Sequence, residues 1–483
     1  MMKPGLVGAV VAVLLTVAAS GGAETPTEKR LRQLEDTLRK TQDEVQQLRR
    51  QLEQQKAIGQ ATQKQVEQTS EESKAATAEA KKAFSLPDWL NRTTVFGDVR
   101  ARHEGFYHQP HKKGTPVGAR NRERIRARLG VRFAFSDELT ATIRGASGNP
   151  NDPISTNETL TGNFNRKNFN LDWAYLTFTP GKSFNLRPGV VSFTAGKFPN
   201  PIFRVSEMVF DDDLSVEGTS ETFQLLEKPL GFLDQVKIHG LQWTFAEIAN
   251  KEDGWMFGGQ INPSMHFGDV QVEGGFGQFW WLNSDLIAQA LDKNTTAFDS
   301  SGKPIANSNF NSVLFNSNLL DMTTIQPPTP KGGKKPASFS VISGYKSAFN
   351  QSGATLAVTV PNVVLNQPLR LWADYIYNWL AATDDAHGWQ SGLRLGQTKV
   401  KDDWSIYGFY EHLGQEAAIS AFTYSDFGPG GTNQEGPVVG IDYQLLNPLT
   451  LTARTHFTNV INRTPGTTNP TLMRVQLDAL VKF

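Results

Sequence analysis

The strict alternation of apolar and polar residues over 124–133 is the feature that most constrains the fold. Ile125, Ala127, Leu129, Val131 and Phe133 occupy every second position, and the positions between them hold four arginines and a glycine. Successive side chains of a β-strand point to opposite faces, so the pattern predicts a strand with one apolar and one basic face. This contrast is unusual in a soluble sheet. It indicates a wall with water on one side and an apolar phase on the other.

Comparable segments recur along the chain up to its last residue. Each is bounded by Gly, Pro, Asn or Asp, which are the residues that form turns. We predict about sixteen antiparallel strands, within a range of roughly 14 to 18. Their predicted positions are near 93–107, 124–133, 138–147, 167–179, 189–198, 218–227, 233–247, 253–263, 268–283, 353–365, 369–382, 387–398, 402–423, 435–446, 447–460 and 471–483.

The connectors between these segments are short and long in alternation. The short ones include 135–138, 366–368 and 447–448, and the long ones include 145–167, 199–217 and 284–336. Short turns at one end and long loops at the other are typical of outer-membrane β-barrels. We therefore predict that residues 87–483 form an all-β, antiparallel transmembrane barrel. The short connector at 248–252 is an exception to the alternation.

The N-terminus has the features of a secretory signal peptide at residues 1–23. A lysine at position 3 precedes the apolar run Gly5–Ala19, and Gly21-Gly22-Ala23 forms a small-residue cleavage site. A retained membrane anchor is the alternative, but the run is shorter than the ~20 residues of a spanning helix. Since no second apolar run follows, the chain must use strands if it crosses a membrane.

A heptad repeat predicts that residues 24–86 form a long α-helical coiled coil in the periplasm. The seam residues are Leu31, Leu34, Leu38, Val45, Leu48 and Leu52. The helix should begin at Thr25-Pro26 and end before Pro87. Such a helix cannot bury its apolar stripe alone, so it needs partner chains. A single amphipathic helix lying on another surface is the alternative.

The C-terminal segment alternates up to an aromatic last residue. Met473, Val475, Leu477, Ala479, Val481 and Phe483 fall on one face, which we expect to contact outer-membrane lipid. The segment resembles the terminal strand that outer-membrane proteins present to the barrel assembly machinery. An interfacial girdle is expected to contain Trp173, Trp243, Trp280, Trp281, Trp372, Trp379, Trp389 and Trp404.

The chain from about residue 93 onward resembles the putative-porin families of Gram-negative bacteria. The resemblance is carried by 96–102 (FGDVRAR), 195–201 (AGKFPNP), 211–218, 374–378 and 425–433 in that order. It implies an outer-membrane porin that passes small hydrophilic solutes by passive diffusion, usually as a homotrimer. It does not imply a particular solute.

Seven arginines on the first three predicted strands should project into the lumen as a basic ladder: Arg100, Arg102, Arg124, Arg126, Arg128, Arg132 and Arg144. The long loop 199–217 carries Asp211, Asp212, Asp213 and Glu217. By analogy with general porins, we expect these acids to face the ladder across a charged constriction that filters ions and solutes. Lys197 and Arg204 flank this loop and are expected to share that role. Alternatively, the arginines form wall salt bridges with Asp98, Glu104 and Glu123.

Composition and motifs disfavour other functions. Equal numbers of basic and acidic residues, 48 each, give no reason to expect nucleic-acid binding. Hydrolase, metalloprotease, phosphate-loop and dinucleotide motifs are missing, so we expect no enzyme and no cofactor. His108 and His111 flank a proline, which disfavours a metal site. A structural role, in which the coiled coil tethers the barrel to peptidoglycan, is the alternative to transport.

Overall fold

In the computed structural model the chain divides into two units, Met1–Leu86 and Pro87–Phe483. The structure describes residues 91–249, 252–298, 303–329 and 334–483, and of the first unit residues 30, 34–37, 39–41, 43–47, 49, 50 and 53. Within these residues, no helix is long and apolar enough to cross a membrane.

The described residues of the first unit are helical. Leu34 and Val45 of the predicted seam are exposed in this single chain. The other seam residues, Leu31, Leu38, Leu48 and Leu52, lie outside the described residues, as does the predicted signal peptide. The coiled coil therefore stays a prediction.

Sixteen long strands form the wall in the described part of the second unit, which confirms the predicted count. Their bounds are β1 Thr93–Tyr107, β2 Arg120–Ala134, β3 Leu139–Ser147, β4 Phe169–Phe178, β5 Val191–Pro199, β6 Ser215–Gln224, β7 Leu233–Ala246, β8 Gly254–Phe267, β9 Val270–Leu282, β10 Phe349–Val364, β11 Gln367–Asn378, β12 His387–Gly396, β13 Trp404–Leu413, β14 Gln434–Leu446, β15 Leu449–Val460 and β16 Leu472–Lys482. Each pairs antiparallel with its neighbours, and β1 pairs with β16, so the sheet closes.

The closing seam involves the last residue of the chain. The backbone N–H of Gly97 donates to the carbonyl of Phe483 (2.9 Å), and the N–H of Phe483 donates to that of Gly97 (3.1 Å). A Cβ on Gly97 would lie 2.9 Å from the Phe483 ring and 2.3 Å from the Arg128 carbonyl. Glycine is required here because the ring and the neighbouring strand approach the backbone so closely.

The alternation predicted from the sequence separates the two faces of the wall. Val99, Leu129 and Ile143 face outward and are about half exposed in this chain, whereas Asp98 and Arg126 between them point inward and are buried. The outward face is thus apolar where a membrane would contact it.

The connectors are sorted by end, as predicted. Turns such as 268–269, 365–366 and 447–448 lie at one end, and connectors 148–168, 200–214, 283–348 and 414–433 lie at the other. The predicted strand 402–423 is wrong beyond Leu413, because 414–433 leaves the wall there. Connector 283–348 contains the helix Asp285–Gln289 and the strand pair Leu320–Ile325 with Phe339–Tyr345.

An apolar core that the alternation pattern did not predict lies inside the barrel. Inward residues of β5 to β11 pack against apolar residues of the long connectors, including Met208, Phe210, Ile287 and Ile419. Trp243 and Trp281 belong to this core and are 4% and 7% exposed, so their assignment to an interfacial girdle was wrong. Trp280, Trp379 and Trp389 do face outward and are exposed.

Candidate functional site

Two ladder arginines bind the inward-folded connector 200–214. On β2, the Arg128 Nε donates to Asp98 (2.6 Å) and its Nη1 donates to Asp213 (3.0 Å). Arg126 binds Asp98 (2.9 Å) and lies 3.7 Å from Asp213. Asp213 also accepts the backbone N–H and hydroxyl of Thr156. These contacts leave no gap between Asp213 and the ladder.

A second ion-pair cluster joins the first and last strands to the connector 414–433. Asp426 accepts from Arg102 of β1 (2.5 Å) and Arg474 of β16 (2.6 Å). Arg102 is also bidentate to Asp478, with both distances 2.7 Å. Glu104 binds Arg474 and Arg122. Arg102, Glu104 and Arg474 are almost fully buried and the Asp426 side chain is 13% exposed, so the cluster fixes the connector against the seam.

The other ladder arginines have varied partners. Arg100 donates to Asn157 (2.6 Å) and Arg124 to Ser155 (3.2 Å), both in connector 148–168. Arg144 donates to Asp172 (2.7 Å) and covers the Trp173 ring at 3.2 Å. Arg132 is exposed, and its guanidinium lies 6.0 Å from the Phe96 ring.

The acids predicted to face the ladder are dispersed. Among the described residues, Asp213 is the one of the four in salt-bridge contact with ladder arginines. Asp211 accepts the backbone N–H groups of Ser425 (2.8 Å) and Asp213 (2.8 Å), and Asp212 binds Arg204 (3.0 Å).

Glu217 pairs with Lys197 on the neighbouring strand (2.7 Å), and the two border a separate cavity of about 440 Å³. Of the expected wall salt bridges, those of Asp98 and Glu104 are present, but Glu123 pairs with His103.

Connector 200–214 reaches β2 on one side and β11 on the other. Ser206 donates to Asp374 of β11 (2.5 Å), and the backbone of Phe203 exchanges two hydrogen bonds with the Gln260 side chain of β8. Phe210 packs edge-on against Trp243 (6.1 Å) and Phe279 (5.5 Å). The connector is therefore held inside the barrel by both polar and apolar contacts.

The carboxyl groups of these connectors fall into two classes, those whose pKa is lowered and those whose pKa is raised. Burial raises the pKa of Asp213 and of Asp426, but arginines outweigh it: Arg126 and Arg128 hold the pKa of Asp213 below its ordinary value, and Arg102 and Arg474 hold that of Asp426 well below. Burial and neighbouring carboxylates raise the pKa of Asp211 well above its ordinary value. Burial and Asp212 raise that of Glu207 to about 8.

A cavity of about 330 Å³ lies between connector 200–214 and the wall β11 to β15. The connector contributes Arg204, Glu207 and Asp212, and Tyr424 of connector 414–433 also borders it. The wall contributes Arg370, Trp372, Gln390, Arg394, Tyr407, Phe409 and Arg454. Of these wall residues the sequence analysis named Trp372, whose assignment to the interfacial girdle was wrong because it borders the lumen cavity. A local signal was present for Arg394, which stands between Leu393 and Leu395 as the β2 arginines stand between apolar residues.

The chain is similar to one protein family and to several solved structures. The putative-porin family matches residues 115–272 and 345–483. Among solved structures, OprB of Pseudomonas putida is 12% identical with a TM-score of 0.46, covering 83% of this chain and 97% of that one. OmpF of Salmonella typhi is 9% identical with a TM-score of 0.45, covering 81% and 97%. A search of curated proteins found no match. Because the family match covers more than half of the sequence, the chain belongs to the putative-porin family and is an outer-membrane porin.

Proposed function

We propose that this porin passes small hydrophilic solutes and ions by passive diffusion, through a charged constriction formed where connector 200–214 crosses the lumen. The observation that carries the proposal is the cavity beside β11 to β15, which has charged groups of the connector on one side and of the wall on the other. Charges on both sides of a narrow aqueous space filter solutes by size and sign.

The position of this constriction differs from the one expected from the sequence. Arg126 and Arg128 are engaged by Asp98 and Asp213, so we assign them to holding the connector in place. Arg204, Glu207 and Asp212 then face Arg370, Arg394 and Arg454 across the open space. Selectivity should depend mainly on this second set.

Planar-bilayer recordings of the purified protein in a KCl gradient test the proposal. Arg370→Glu should shift the reversal potential toward cation selectivity, since Arg370 borders the cavity and its side chain is 38% exposed. Arg132→Glu is the matched control, because Arg132 lies outside the lining of the cavity. A closed wild-type protein, or equal reversal potentials for all three proteins, would refute the constriction.

We further propose a homotrimer in contact with outer-membrane lipid, inserted by the barrel assembly machinery through the strand that ends at Phe483. The apolar outward face and the terminal seam support lipid contact and this route of insertion. The trimer rests on the family resemblance. Light scattering of the detergent-solubilised protein would distinguish a trimer from a monomer.

A tethering role is supported by a different feature, the heptads at 24–86. We propose that this segment extends into the periplasm and contacts peptidoglycan. Deleting 24–86 should leave the conductance of the barrel intact while loosening the outer membrane from the cell wall. Loss of conductance with a firm envelope would instead assign the segment to the pore.

A further inference from the structure

Arg454 differs from the other charged groups that border the cavity beside β11 to β15. Its Nε donates to the Tyr407 hydroxyl (2.7 Å) and its Nη1 to the Tyr424 hydroxyl (2.7 Å). Among the described residues, no carboxylate lies within salt-bridge distance of it, and its Nη2 has no hydrogen-bond partner. Two neutral phenols thus fix the guanidinium in place without neutralising it.

The remaining cations of the cavity are compensated. Arg204 binds Asp212 (3.0 Å), Arg394 binds Asp442 (2.7 Å), and Arg370 lies 3.7 Å from Glu273. Glu207 also borders the cavity, but its raised pKa of about 8 keeps it mainly protonated at neutral pH. Arg454 therefore supplies the unbalanced charge of this space.

The surroundings of Arg454 suit a molecule with a flat apolar body. Trp372, Phe409 and Tyr424 border the cavity together with Arg454. The volume of about 330 Å³ is that of roughly ten waters at about 30 Å³ each. Aromatic walls around one fixed polar group are typical of sites for small organic ligands.

We propose that this cavity is a binding subsite for a small organic anion, whose carboxylate or phosphate group pairs with Arg454 while its ring packs against the aromatic side chains. A guanidinium with a free edge is well suited to such groups, and charge-assisted hydrogen bonds are the strong ones. The inference rests on the proposed pore, because the solute must reach the lumen by diffusion.

Benzoate block of the KCl current through the full-length protein tests the subsite, with benzamide as the neutral analogue and acetate and inorganic phosphate as further probes. We expect benzoate to reduce the current at concentrations where benzamide has no effect. A larger effect of phosphate would support the anion site and assign it to phosphate groups, and acetate equal to benzoate would overturn the role of the ring.

Arg454→Gln should weaken benzoate block roughly tenfold or more, since it removes a charge-assisted contact. Arg454→Lys should restore part of it, and Arg132→Gln should leave it unchanged. An undiminished block in Arg454→Gln, in a protein whose circular-dichroism spectrum shows the same β-sheet content as the wild type, would overturn the proposal.

Calorimetric titration of benzoate into the detergent-solubilised protein separates the two proposals. Binding that is lost in Arg454→Gln would support the subsite even if the channel were closed, in which case the pore alone would fail. Equal heats of benzoate binding in the wild type and in Arg454→Gln would overturn the subsite even if the channel conducts.

Discussion

On the side of the lumen formed by β15, β16 and β1 to β3, the inward connectors are bonded to the wall through arginines. On the side formed by β5 to β11, they pack against it through apolar side chains. Asp213 and Asp426 provide the first kind of attachment, and Phe210 and Met208 provide the second. Connector 200–214 is attached in both ways, by ion pairs on one side of the lumen and by apolar packing on the other.

The difference between the two sides predicts different responses to the environment. Apolar burial is insensitive to pH and is not screened by salt. The ion pairs require ionised carboxylates, and their strength depends on how well water is excluded. We therefore expect the contacts on the arginine side to weaken or strengthen with pH and salt, and the apolar side to provide most of the stability.

Phe210→Ala should have the largest effect, because it removes a ring that is 2% exposed between Trp243 and Phe279. Truncating a buried phenylalanine costs about 3 to 5 kcal/mol. Connector 200–214 should loosen, which would raise single-channel conductance and expose the connector to protease. Phe164→Ala is the control, since Phe164 is fully exposed in connector 148–168. Equal protease resistance of the two variants would contradict the role of the core.

Asp213→Asn should have a smaller effect on the same connector. It weakens the contacts with Arg126 and Arg128, and hydrogen bonds to charged groups contribute about 1.5 to 3 kcal/mol. In the wild type the lowered pKa of Asp213 means that this contribution is present above the ordinary value of about 3.9 and is lost as the pH falls through the lowered one. The free energy of unfolding, measured at pH 7 and in acid, would give both the cost of the substitution and the pH dependence of the wild type. Asp212→Asn is the control, because the Asp212 carboxylate is largely exposed.

The sequence predicted the wall far better than the lumen. Alternation and turn residues are local signals, and the strict pattern predicted the bounds of β1 and ten of the fifteen residues of β2. Connector 414–433 was missed because its apolar residues Ala417 to Ala421 continue the appearance of a strand, although they are buried inside the barrel. Nothing local distinguishes an apolar residue that faces lipid from one that faces a folded connector.

The ion pairs of the candidate site likewise could be predicted only in part from the local sequence. The inward direction of Arg126 and Arg128 followed from their alternation with apolar residues, and contact with Asp213 was consistent with either expected role. Which acids would be brought to the ladder could not be deduced, because Asp211, Asp212 and Asp213 are adjacent yet bind three different partners. Which acid contacts the ladder arginines depends on contacts between connectors that are far apart in the sequence.

Glu207 should make the charge of the cavity beside β11 to β15 depend on pH near neutrality, whereas the carboxylates paired with arginines on the other side stay ionised there. Its raised pKa of about 8 leaves it neutral below that pH and charged above it. Raising the pH from 6 to 9 should therefore shift the reversal potential toward cation selectivity by a few-fold change in permeability ratio. Asp212, Arg454 and Asp426 are the charged groups that act on it. Glu207→Gln should flatten the pH profile, and an unchanged profile would assign the titration to another group.

Glu217→Gln should have the smallest effect, although the sequence placed Glu217 in the constriction. Its carboxylate pairs with Lys197 while its side chain is 56% exposed, and exposed ion pairs contribute about 0 to 1 kcal/mol. It borders a different cavity from Arg370, so the reversal potential should stay close to that of the wild type. A shift as large as that of Arg370→Glu would move the selective region of the lumen to the long-connector end and break the assignment to β11 to β15.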